Sequence, residues 1–185
     1  MKNLLSHRLH RWALVGLVWW LCGNAGMVFA NDLVPGKPAP DLVLHALDGK
    51  NYQISALRGK VVIVAFWASW CPPCQQELPI LSEFAAQHAA QGVQILGFSL
   101  DDPDNLAQVR AMAAPLHFPV GLMGSAWAGG YGRIWRLPVS FIIDQAGRLV
   151  FNGWDNPQLG WSREQLNRTV LPLLGRPNQE DTQGK

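Results

Sequence analysis

Seven consecutive apolar residues, Val61 to Trp67, followed four positions later by Cys71-Pro72-Pro73-Cys74, constrain this chain more than any other stretch. A run without a polar residue reads as a strand covered on both faces of its sheet. The cysteines then fall where strand gives way to helix. A thiol there meets the positive end of the helix dipole and its free backbone N–H groups, which favour the thiolate. Two structural cysteines would instead be inert and enclosed in a core. The position is a reactive one.

The first thirty residues do not read as part of a folded domain. Lys2, Arg8 and Arg11 precede an apolar run from Trp12 to Cys22, and Val28-Phe29-Ala30 offers a cleavage site after Ala30. Residues 1–30 are therefore expected to be a signal peptide. The alternative is an uncleaved membrane tether, because Trp12 to Ala30 carries no charge over 19 residues. Gly23, Asn24 and Gly26 interrupt that run and favour cleavage. Bulky Trp19, Trp20 and Leu21 before Cys22 argue against lipidation. Either way the remainder is exported.

Export changes what the cysteines mean. Once Cys22 leaves with the signal, only Cys71 and Cys74 remain, in a compartment where disulfides persist. A staple closing so short a loop would add little stability. Structural zinc needs about four ligands, and His45, His88 and His117 are too scattered to complete a site with two thiols. No metal or other cofactor is expected. Without the three basic residues of the leader, 12 of the 15 basic residues face 13 acidic ones, a net charge of −1, with no basic run to suggest nucleic acid. The 155 residues that follow Ala30 fit one domain, which would bury roughly 70% of its unfolded surface.

Pro35, Pro38 and Pro40 make residues 31–37 an extended lead-in. Two short strands, 41–45 and 51–54, flank the turn dipeptide Asp48-Gly49 and predict a hairpin. The helix after the cysteines should run from about Pro72 to Ala90 and stop at Gly92. Its inner face is marked by Cys74, Leu78, Leu81, Phe84 and Ala85, and Pro79 should kink it. Val93 to Leu100 reads as a second buried strand. Asp101 or Asp102 is expected to cap a helix starting at Pro103 and running to about Ala114. Val139–Ile143 and Arg148–Phe151 form a second hairpin around Asp144-Gln-Ala-Gly147. Ser162 to Gln165 is a capping box for a last amphipathic helix ending at Gly175, and 176–185 is a polar tail. The order β, α, β, α, β-hairpin, α predicts an α/β domain over 38–175: a central mixed sheet with helices on both faces, preceded by a hairpin.

These residues resemble a known family. The run Val61–Cys74 with its Cys-Pro-Pro-Cys, the Glu77-Leu78-Pro79 that follows, and Leu137-Pro138-Val-Ser-Phe-Ile-Ile-Asp144 are similar to the exported TlpA and ResA group of thioredoxin-like thiol-disulfide oxidoreductases, within the redoxin superfamily. The similarity spans about Pro38 to Leu174. It implies a periplasmic enzyme that exchanges disulfides with thiols or disulfides of exported client proteins, and is itself served by a membrane electron donor. It also implies a cis bond between Leu137 and Pro138, with the Leu137 backbone offered to an extended partner and the Pro138 ring keeping metal from the dithiol. Two departures stand out: Arg133-Ile-Trp-Arg136 before the loop proline, and Val139-Ser140 where the cytochrome-maturation branch tends to have an acidic residue.

Within this frame Cys71 is the expected attacking thiolate and Cys74, one turn inside, the resolving one. Pro72 and Pro73 have no N–H to give the Cys71 sulfur, leaving Cys74 as the nearest donor in the turn. A less stabilised thiolate means a lower reduction potential, so the residues point to a reductant. Glu77 shares the inward face with Cys74, where burial would raise its pKa and let it relay protons. Trp70 is a candidate docking surface, and Trp67 reads as core. Three rivals are weighed: an oxidising disulfide donor, a non-enzymatic copper-delivery protein, whose cysteines typically have three residues between them where this chain has two, and a peroxiredoxin. The last requires a Pro-x-x-x-Thr/Ser-x-x-Cys run, for which Val64 and Ala68 are wrong.

Overall fold

The computed structural model describes residues 33–175, so the proposed signal segment and the tail lie outside the described residues. Strands β1 (Val43–His45) and β2 (Asn51–Gln53) pair antiparallel as the N-terminal hairpin. At its tip Gly49 has a φ of +82°, and Asp48 accepts the Lys50 N–H. The main sheet contains β3 (Val61–Trp67), β4 (Val93–Ser99), β5 (Val120–Leu122), β6 (Val139–Ile143) and β7 (Leu149–Phe151), in the order β5-β4-β3-β6-β7. β3 is the central strand, parallel to β4 and antiparallel to β6. That position is why all seven of its residues are buried.

Side chains alternate across β3 and divide the core in two. Val61, Ile63, Ala65 and Trp67 face a layer built from α1 (Pro72–His88), α2 (Leu106–Ala113) and α3 (Arg163–Leu174), through residues such as Leu81, Phe84, Val109, Leu166 and Val170. Val62, Val64 and Phe66 face Leu44 of the hairpin and the aromatic pair Tyr131 and Phe141. Helices thus flank both faces, but unequally: the α-helices share one face, and the other has the hairpin with short 3-10 turns at Ile54–Leu57 and Gly129–Tyr131. The uneven split follows from the crossovers. β3, β4 and β5 step in one direction across the sheet, so right-handed connections put α1 and α2 on the same side.

Three local expectations changed on folding and a fourth, the capping box, formed as expected. The first helix is α-helical only to His88; Ala89–Gln91 tightens to 3-10, and Gly92 closes it at φ +95°. The second helix begins as a 3-10 turn at Pro103–Asn105, and neither aspartate caps it: Asp102 makes no capping bond and Asp101 turns inward. The capping box at Ser162 and Gln165 forms in both directions. The lead-in is tied down: Gly36 N–H donates to the Leu149 carbonyl and Leu149 N–H to the Lys37 carbonyl, covering an edge of β7 that would otherwise be open.

Candidate active site

The β3–α1 corner brings the cysteines together as a disulfide, with Cα atoms 5.3 Å apart. Cys71 is the N-cap residue of α1 and Cys74 lies in its first turn, so the helix presents one sulfur at its tip and the other a turn deeper. Cys74 is fully buried and Cys71 is 4% exposed, so the little surface the pair offers a partner belongs to Cys71. The Cys74 N–H donates to the Cys71 sulfur at 3.3 Å, the donor left once Pro72 and Pro73 occupy the turn. Trp70, immediately before, is 61% exposed, whereas Trp67 is enclosed in the core.

Glu77 follows Cys74 on the inward face of α1 and is only 4% exposed. Burial pushes its carboxyl pKa up to about 8, against a smaller lowering by the backbone amide of Trp161. Its Oε1 and the Ser140 hydroxyl are both buried without a hydrogen-bond partner. Both residues line one small cavity of ≈ 10 Å³ with Pro138, Asn156, Gln158 and Gly160. Gly160 sits between Glu77 and Pro138; a Cβ there would lie 3.7 Å from each. With that pKa the group is largely protonated at neutral pH, held next to the deeper sulfur's helix turn and the loop proline.

The Leu137–Pro138 bond is cis. Leu137 is half-buried between the two halves of the core, and Pro138 opens β6 beside the Glu77 cavity. The two residues before them form a cluster that the sequence suggested only as an unusual approach. Trp135 is exposed and stacks on Trp154, with centroids 5.4 Å apart and planes at 12°. The Arg136 guanidinium lies 5.5 Å from the Trp135 ring centre and donates to the Gly153 carbonyl at 2.7 Å. Asp101 was missed altogether as part of the site. Its carboxylate reaches under the corner to Ser69, 32 residues earlier in the chain, a partner that no local pattern announces.

Fold and disulfide together define the class: a thioredoxin-like domain carrying a Cys-x-x-Cys disulfide at its strand-to-helix corner. The chain belongs to the AhpC/TSA family, whose sequence pattern matches residues 35–152. It is 36% identical over 116 residues to the thiol-disulfide oxidoreductase ResA of Bacillus thuringiensis, covering 62% of this chain and 66% of that protein, just under two thirds of its length. A ResA of Bacillus cereus is 33% identical over 138 residues, 70% of this chain and 79% of the relative. A solved structure from Chlorobium tepidum, provisionally assigned as the thiol:disulfide interchange protein DsbE, superposes with a TM-score of 0.66 at 29% identity, covering 78% of this chain and all of that one. Within the family the peroxidatic pattern is absent here: Val64, inside β3, and Ala68 stand where it needs proline and a hydroxyl residue.

Proposed function

We propose that this chain is a periplasmic thiol-disulfide oxidoreductase that reduces disulfides on exported client proteins. The observation that carries the reading is the Cys71–Cys74 disulfide with a single amide, that of Cys74, aimed at the Cys71 sulfur. So sparse a donor set leaves the Cys71 thiolate, and with it the dithiol form, weakly stabilised, which favours passing electrons on.

In the cycle, the Cys71 thiolate attacks one sulfur of the client disulfide, forming a mixed disulfide and releasing a client thiolate. Cys74 then loses its proton to Glu77 in its ionised form, the minor form at neutral pH with a pKa near 8, and attacks Cys71; the protonated Glu77 passes that proton on to the departing client sulfur. The client leaves as a dithiol, two electrons richer, and the protein is left as the Cys71–Cys74 disulfide. A membrane electron donor returns it to the dithiol. The cis Leu137–Pro138 edge and exposed Trp70 serve as the docking surface for an extended client segment. Cysteines of copper or cytochrome proteins are suitable clients, since metal or haem attachment requires free thiols; cytochrome c maturation is one such setting.

The test is a trap combined with a potential. In the exporting cell, Cys74→Ser should accumulate mixed disulfides at Cys71, and mass spectrometry of the captured chain should find it starting at Asn31. The reduction potential of the wild-type protein should lie nearer thioredoxin's, about −270 mV, than DsbA's, about −120 mV. A value near the latter would make the protein an oxidising donor instead. Tight copper binding without reductase activity would favour the copper-delivery reading.

A further inference from the structure

Beneath the redox corner lies a carboxylate that the exchange cycle does not use. Asp101 follows β4 and is buried. Its Oδ2 accepts the Ser69 N–H at 2.8 Å and the Ser99 hydroxyl at 2.7 Å, and its Oδ1 accepts the Ser69 hydroxyl at 2.5 Å. These donors are all neutral, so no hydrogen-bonded cation cancels the charge. From the other side Gln75, in α1, donates its side-chain N–H to the Ser69 carbonyl at 2.7 Å. Side chains thus engage the amide, the hydroxyl and the carbonyl of Ser69, two residues before the attacking sulfur. Cys71's own N–H is taken by the Ala68 carbonyl at 3.2 Å, and the Leu100 N–H stitches the end of β4 to the Trp67 carbonyl at 2.8 Å.

We propose that Asp101 is a positioning residue of the redox centre. By holding Ser69 it withholds that residue's two donors from the Cys71 sulfur, and it fixes a negative charge behind the corner. Both effects act in the same direction. A thiolate gains from nearby N–H and O–H donors and loses from a nearby anion, so the clamp disfavours the dithiol form and makes the protein a better reductant. The inference deepens the reductant reading above and rests on it.

The test compares purified full-length wild type with Asp101→Asn and with Gln75→Ala, a surface change that leaves the carboxylate in place. Each is equilibrated against glutathione buffers, and the rate of Cys71 alkylation by iodoacetamide is followed against pH. Asp101→Asn should move the equilibrium at least tenfold toward the dithiol, about 30 mV in potential, and shift the alkylation profile to lower pH. Gln75→Ala should move both in the same direction by a smaller factor without lowering the unfolding midpoint, and it decides the matter if Asp101→Asn does not fold. Variants that change only the unfolding midpoint, with equilibrium and alkylation at wild-type values, would overturn the proposal. An oxidising wild-type potential with the variant shifts intact would remove the reductant reading while leaving Asp101's positioning role in place.

Discussion

Glu77 holds a proton in the folded chain that it would release on unfolding. With its pKa near 8 when folded and 4.5 when free, the native state binds one proton more than the unfolded state between those values. Stability is therefore fully present below about pH 4.5 and declines as pH rises toward 8, by at most about 1.4 kcal/mol per pH unit. Glu77→Gln keeps the shape and abolishes the titration. Urea unfolding should find the variant more stable than wild type at pH 8, with a flatter profile between pH 5 and 8. Its disulfide-exchange rate should lose the inflection near pH 8 that a proton relay imposes. An unchanged rate profile alongside the flattened stability profile would leave Glu77 buried but idle. The inward face that Glu77 shares with Cys74 was legible from helical spacing alone. The emptiness around its Oε1 was not, because that depends on Gly160 and Ser140, which arrive from a distant loop and from β6.

At the scale of elements, the hairpin β1–β2 is seated on β5 by one missing side chain. A Cβ on Gly121 would come within 2.2 Å of the His45 carbonyl oxygen, a backbone atom that cannot step aside, while the neighbouring Leu47 N–H bonds the Val120 carbonyl at 2.8 Å. Gly121→Ala should therefore lift the hairpin and lower stability by roughly 1–3 kcal/mol, as overpacking does. Thermal unfolding of the oxidised protein measures it. Strands, turns and the last helix were readable because their signals are local: alternation, Asp48-Gly49, the Ser162 and Gln165 box. Asp101 was misread for the same reason. Before Pro103 it has the local pattern of a helix cap, and only the fold shows that Ser69 and Ser99 compete for the same oxygens and win.

For the whole molecule, the order of elements anticipated a mixed sheet but not how its faces would be covered. Each expected helix exists, yet crossover handedness puts α1 and α2 behind Trp67, the C-terminal α3 packs on that same side, and the opposite face is left to aromatic packing around Phe66, Phe98, Tyr131 and Phe141. That aromatic side continues outward through Trp154 to Trp135, which ends in solvent two residues from the cis Leu137–Pro138 bond. Two indoles stacked at 5.4 Å with planes 12° apart couple their electronic excitations, and where the rings are rotated against one another about the stacking axis the pair gives a split circular-dichroism band that no isolated tryptophan produces. The band needs both rings: Trp135→Phe should erase it and leave the disulfide chemistry at Cys71 intact. A client segment that engages the loop will tilt or cover the outer ring, and the band should then change in proportion to occupancy. The stack would serve as an optical gauge of docking, readable without label or turnover.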